Sequence, residues 1–358
     1  MKRQAAAWAK QHGDTVKVVD ESTNPGGYQF YATAARAGQG PDIAFGIGHD
    51  NNSTFVQEGL DEPVPSSVIN PHDYAKSTMD AVTINGKVYS VPFVLYTTAL
   101  FYNTNKIKTP PKTWSQFVND ANKYGFGFRQ EDLYHTFAFV GGYGGYVFKN
   151  NHGTLDPNNI GLANAGAVQA YSLLHQMDAK YHWMTPSVKG GVPKSEFVSG
   201  KTGMFIGGNW DISSIKQAKI HFSVAPLPTL PNGKVATPFM SVIDAFVNAR
   251  SPQNLRPAEW SLLQAITNAP TQIAFAKASQ QLPTLINAQN VPAIQKDPVI
   301  KGFVDQLKTA VPMPGIPQMI AVWNSDGVVL NIISGKVSPE QGAKDFVKSI
   351  KDAILVQG

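Results

Sequence analysis

Four short segments of this chain set a ring beside a carboxylate or a side-chain amide. They are HDNN at His49–Asn52, EDLYH at Glu131–His135, GGNWD at Gly207–Asp211 and VWNSD at Val322–Asp326. A sugar ring calls for this mixture. Its C–H faces are apolar and pack on aromatic planes, while its hydroxyl rim needs acceptors and donors. Apolar contact alone fixes orientation poorly, so a binding cleft needs both kinds of group. On this reading Trp210, Trp323 and Tyr134 supply faces, and Asp50, Asp132 and Asn324 meet hydroxyls. Each residue also has a plainer role: an isolated Trp or Tyr packs in a core, and an Asp beside a turn caps it. Asp50 and Asp132 further allow an acid/base pair for glycoside hydrolysis. Spacing in the sequence does not bring the four segments together; the fold has to do so.

The elements available for that task come from 358 residues, enough for two domains with separate cores. Apolar residues make up 42% and charged residues 15%, which excludes bulk disorder. The formal charge of +5 is spread thinly, without the basic stripe that nucleic-acid binding needs. The absence of cysteine excludes disulfides, a thiol nucleophile and cysteine metal ligands. HDNN is not a metal motif, and GGYGG lacks the Lys-Ser/Thr context of a phosphate loop, so no cofactor is expected. No run reaches the length needed to span a bilayer, and MKRQAAAWAKQHG reads as an amphipathic helix, not a signal peptide.

After that helix, Thr15–Asp20 has the valines of a strand, a helix runs from Tyr28 to Ala37, and Ile43–Phe45 is a second strand. This alternation favours an α/β class. The dipeptide Asn85–Gly86 predicts a hairpin between Ala81–Ile84 and Lys87–Val91. FVLYTTALFY and MSVIDAFVN are long apolar runs, suited to strands buried on both faces or crossing between domains. Thr113 is the predicted N-cap of a helix whose Trp114, Phe117 and Ala121 face inward. Further helices are predicted at Ala163–Met177, Glu259–Asn268, Pro270–Ala278, Pro298–Thr309, Met319–Ser334 and Pro339–Ile354, with VPMPGIPQM a rigid loop.

An ordered series of segments then resembles the maltose/maltodextrin-binding proteins of bacterial ABC importers. The series includes GPDIAF (Gly40–Phe45), INGKVYSVP (Ile84–Pro92), LFYNTNKIKTPPKTWSQF (Leu100–Phe117), LDPNNIGLANAGA (Leu155–Ala167), PFMSVIDAFVNARSP (Pro238–Pro252) and MPGIPQM (Met313–Met319). The resemblance implies a two-lobed periplasmic-binding-protein fold with mixed sheets and a hinge of several chain crossings. Lobe one would combine residues 1–94 with 245–295, and lobe two 99–240 with 299–358. The crossings would fall at 94–99, 240–244 and 295–299. The family begins with a strand before the first helix, whereas this sequence opens at that helix. The resemblance implies that another segment or a second chain fills the strand's place, or that the reading frame starts further upstream.

By the same resemblance, the chain binds malto-oligosaccharides between its lobes and delivers them to an ABC importer permease, without catalysis. It would act outside the cytoplasm as a monomer, as a cell-surface lipoprotein of a Gram-positive bacterium or as a periplasmic protein. The implied contacts are Asp50, Asp132 in the place of a Glu, Tyr134, Trp210, Trp323 and the peripheral Met313. Departures from the family pattern are Asn51 for Arg, Tyr96 for Glu, His135 for an aromatic and Asn324 for Tyr. They reshape the polar wall of the site, and they leave open a receptor for a polar peptide.

Overall fold

The apolar run MSVIDAFVN lies in a strand, Phe239–Val247, buried along nearly its whole length. A strand without alternation must be covered on both faces, and the computed structural model shows the two covers. Phe246 packs with Tyr31, Ala35, Ala44, Phe55 and Leu60. Its neighbours Ala245 and Val247 pack with Val91, Trp260 and Leu263. The structure describes residues 1–21, 27–151, 154–184 and 190–357.

The chain forms two units. The first comprises Met1–Leu95, Ser241–Ile294 and Gly315–Pro317; the second comprises Tyr96–Met240, Gln295–Pro314 and Gln318–Gly358. Two of the passages lie inside long strands, Val91–Asn103 and Phe239–Val247. The short return at Gly315–Pro317 lies within the loop MPGIPQM, where the Ser53 hydroxyl donates to the Gly315 carbonyl and ties it to the first unit.

In the first unit, Ile43–Gly48 runs antiparallel to Phe239–Val247, from Ile43 opposite Val247 to Gly48 opposite Ile243. The start of Val91–Asn103 pairs antiparallel with Leu282–Pro283. The opening helix Lys2–His12 is anchored by its Trp8 Nε1, which donates to Ser261 Oγ at 3.0 Å. The predicted Asn85–Gly86 turn is present, with φ of 50° and 77°, the double left-handed geometry of a two-residue hairpin.

In the second unit, the rest of Val91–Asn103 pairs antiparallel with Met204–Gly208 and with Phe222–Ala225. Phe126–Phe128 adds to Met204–Gly208 in parallel, so strand directions are mixed. Phe101 sits among Phe197, Phe205, Phe222 and Phe303, with ring centroids 5.5–6.4 Å away. Helix Trp114–Tyr124 starts on Thr113, whose hydroxyl accepts from the Gln116 N–H while the Gln116 side chain accepts from Thr113. Phe117 and Ala121 are buried as predicted, and Trp114 is half-buried.

Three elements differ from expectation. Thr15–Asp20 is not a strand; no described strand pairs with it, and Val18 and Val19 are 40% and 59% exposed. Valine content favours extended backbone, but a strand exists only where a neighbour takes its N–H and C=O groups. The predicted helix Met319–Ser334 is two helices, Met319–Ser325 and Val328–Ile333, interrupted at Asp326 and Gly327. Helix Lys76–Val82 takes Ala81 and Val82, which leaves only Thr83–Ile84 for the first hairpin strand.

Candidate functional site

The strand Met204–Gly208 ends in a 3-10 turn, Asn209–Asp211, that carries Trp210. Gly208 makes this possible by having no side chain. A Cβ there would lie 2.2 Å from Cζ2 of Trp210, so the indole rests directly over the Gly208 backbone. Asp211 fixes the turn, accepting from the Gly208 N–H at 3.1 Å and from Lys194 Nζ at 3.0 Å. The indole stays 37% exposed. Gly208→Ala is therefore expected to dislodge Trp210. The drop in melting temperature should be only a few degrees, since one partly exposed ring moves. Near-ultraviolet circular dichroism and thermal melts of the variant read both effects.

Three rings surround that indole. Tyr96, Tyr134 and His135 lie with centroids 5.6, 5.7 and 6.1 Å from it, at interplanar angles of 63–85°. Edge contacts of this kind hold an aromatic without stacking over it. Tyr134 also meets Phe239 at 5.9 Å, and Phe239 meets Trp323 at 6.4 Å. The second unit thus gathers Tyr96, Tyr134, His135 and Trp210, and reaches Trp323 through Phe239. Phe239 itself is held by a parallel stack on Phe137 at 3.7 Å. Nothing in the sequence marked Phe239 as part of the site, because it sits at the end of an apolar strand.

The helix Leu133–Gly142 orients Tyr134 and His135, and Asp132 is its N-cap. The Asp132 Oδ1 accepts from the His135 N–H at 2.9 Å and lies 2.7 Å from its Nδ1; Arg129 reaches the other oxygen at 3.2 Å. Burial pushes the Asp132 carboxyl up, but the His135 hydrogen bonds and the Arg129 charge outweigh it and hold it below its ordinary value. The plain reading of Asp132 as a cap is thus realised. The pattern Asp-x-x-His, with the acceptor three residues before the N–H it receives, is the signal for it. Asn324 is exposed beside Trp323, and Met313 is buried, with its N–H on the Met240 carbonyl.

Asp50 and Asn51 belong to the first unit, on a 3-10 turn at His49–Asn51. The turn is pinned on both sides. The Val242 N–H donates to His49 Nδ1 at 3.1 Å, and the Asn52 amide donates to Asp244 Oδ2 at 2.7 Å. Ser90 donates to the same Asp244 oxygen at 2.6 Å. Asn51 donates to the Gly48 carbonyl at 3.0 Å and approaches Asp50 Oδ1 at 3.3 Å. Burial raises the Asp50 carboxyl against the opposing pull of His49. The support of this turn by Asn52, Ser90 and Asp244 was not predicted, although a carboxylate inside the apolar run MSVIDAFVN was its visible sign.

The sequence pattern of the family described as bacterial extracellular solute-binding protein matches residues 3–302. The chain belongs to that family. This solute-binding protein is 31% identical to the maltodextrin-binding protein MdxE of Bacillus subtilis, over 96% of its own length and 85% of that protein. It is 29% identical to the galactooligosaccharide-binding protein of the same organism, over 99% and 86%. Among solved structures it is similar to the maltose-maltodextrin binding protein of the thermoacidophilic bacterium Alicyclobacillus acidocaldarius. That match has 56% identity, a TM-score of 0.90, and coverage of 98% and 95% of the two chains. A cyclo/maltodextrin-binding protein complexed with maltotetraose matches with 30% identity and a TM-score of 0.89, over 99% and 92%. The fold is the two-lobed α/β periplasmic-binding-protein fold with mixed sheets. The protein works outside the cytoplasm and binds its solute without transforming it, which removes the reading of Asp50 and Asp132 as a hydrolytic pair.

Proposed function

We propose that this protein binds maltose and longer malto-oligosaccharides and delivers them to the membrane permease of an ABC importer. One observation carries the proposal: the partly exposed Trp210 is held at its edges by Tyr96, Tyr134 and His135, and Trp323 is joined to this set through Phe239. An indole held this way offers a flat apolar face, which suits the C–H side of a glucose ring. The relatives named for maltodextrin and for maltose support the same ligand.

The proposal assigns hydroxyl contacts to Asp132, His135 and Asn324 in the second unit and to Asp50 and Asn51 in the first. Tyr96, Tyr134, Trp210 and Trp323 receive ring faces, and Met313 lies at the periphery. The chain segments 94–99, 240–244 and 295–299 are proposed as hinge crossings, joining lobes formed by 1–94 with 245–295 and by 99–240 with 299–358, except that the short return at Gly315–Pro317 belongs with the first unit. A surface lipoprotein is the proposed form, in line with the lipoproteins of Streptococcus pneumoniae to which the chain is similar.

Calorimetric titration with maltose, maltotriose and maltotetraose tests the ligand class. Saturable binding in the micromolar range, about −8 kcal/mol, is the expected outcome. Binding of a galacto-oligosaccharide or a peptide alone, with no response to any glucan, would refute the assignment.

A further inference from the structure

We infer that Asp326 is a positioning residue of the aromatic site, clamping the helix that carries Trp323 to the first turn of the helix that carries Tyr134 and His135. The inference rests on the sugar-binding reading above. Asp326 follows directly on helix Met319–Ser325, three residues after Trp323, where the predicted longer helix is interrupted. Its Oδ2 accepts the Leu133 N–H at 3.3 Å. Leu133 is the first residue of helix Leu133–Gly142, and N–H groups of a first turn have no partner within their own helix. Asp132 takes the His135 N–H of the same turn. Two carboxylates from distant parts of the chain therefore share one helix start, each favoured there by the positive end of the helix dipole.

The consequence is geometric. Phe239 lies between Tyr134 and Trp323 and sets their separation by packing. Asp326 adds a directional bond between the backbone next to Tyr134 and the turn just beyond Trp323. On the other side, Ser325 Oγ lies 3.0 Å from Ser349 Oγ, which anchors the same turn to the helix Pro339–Gln357.

The clamp carries a pH signature. The charged groups that act on Asp326 are Asp132, Glu131 and Arg129, and His135 stands behind Asp132. Burial, opposed by the Leu133 hydrogen bond and reinforced by the two neighbouring carboxylates, pushes Asp326 up to about 6. Below that pH the ionised acceptor is lost.

The test compares wild type with Asp326→Asn and Asp326→Ala. Maltotriose affinity is measured between pH 5 and 7.5, and amide hydrogen exchange is measured on peptides spanning 133–135 and 114–124 without ligand. Wild-type affinity is expected to weaken severalfold from pH 7.5 to pH 5. Asp326→Asn should be weaker at pH 7.5 and lose that part of the slope. Asp326→Ala should speed exchange at 133–135 and leave 114–124 unchanged. Wild-type affinity and slope retained in Asp326→Asn, or unaltered exchange in Asp326→Ala, would overturn the clamp. If wild type binds no glucan, the sugar reading falls, and the exchange comparison still decides the clamp.

Discussion

Trp210→Ala is expected to lose malto-oligosaccharide binding by at least thirtyfold while keeping the fold. The argument starts from exposure. Among the rings of the second unit's site, His135 is buried and Tyr96, Tyr134 and Trp323 are half-buried, whereas Trp210 is 37% exposed. Its neighbours touch it at steep angles and none is stacked on it. A ring so held loses little further freedom when a ligand arrives, so contact with it is translated into affinity. Truncating a central Trp anchor typically costs about 2 kcal/mol or more, which is a factor of roughly thirty in Kd. Stability should change little, because the turn bearing Trp210 is held through Asp211, Lys194 and Gly208. Calorimetry with maltotriose, beside a thermal melt, reads both effects. Unchanged affinity in a folded variant would remove Trp210 from the site and, with it, the observation on which the sugar assignment rests.

What the sequence disclosed was mostly what short-range chemistry decides. The Asn85–Gly86 turn follows from two residues that tolerate positive φ, and the Thr113–Gln116 capping box from two side chains three positions apart. The strands Val91–Asn103 and Phe239–Val247 were legible because a long β-branched run has no solvent face to offer. Thr15–Asp20 has similar local content, yet its state depended on a pairing partner elsewhere, which local content cannot report.

The site divides along the same line. Ring and carboxylate types in EDLYH, GGNWD and VWNSD pointed to carbohydrate, and the fold gathers the rings of the first two segments around Trp210. Of the groups that hold those rings, Phe239 lay unmarked at the end of an apolar run and Arg129 drew no reading, while Asp326 stood in VWNSD with nothing to show that it reaches Leu133. Their roles arise from contacts between residues far apart in the chain, such as Leu133 and Asp326, and no spacing rule encodes them. Asp132 shows the limit from the other direction, since capping and ligand contact call for the same residue type at the same place.

Heating the protein at a series of pH values should show greatest stability in mildly acidic solution, with a fall as pH rises toward 9. Two buried carboxyls of the first unit drive this. Asp244, fully buried, is pushed up to about 7 by burial, with Ser90 and Asn52 pulling the other way and Asp50 adding to the rise. Asp61, 4% exposed and with neither carboxyl oxygen hydrogen-bonded, is pushed up to about 9 by burial and by Asp244. Both folded values lie above the unfolded 3.8, so the folded state retains protons that the unfolded chain releases. The stability tied to them is complete below the unfolded value and is lost as pH climbs through about 7 and then about 9. For Asp244 the rise from 3.8 to about 7 corresponds to about 4 kcal/mol, a large fraction of a typical domain's stability. Asp132 acts in the opposite sense: its lowered carboxyl supports the fold above 3.8 and that support fades as pH falls through its depressed value, which sets the acid side of the optimum. Asp61→Asn removes one of the two charges and retains the shape. It should raise the melting temperature at pH 9 above that of wild type and flatten the profile between about 7 and 9. A wild-type melting temperature that climbs from pH 5 to pH 9, or a variant profile that follows it throughout, would show that these carboxyls are ionised in the native protein.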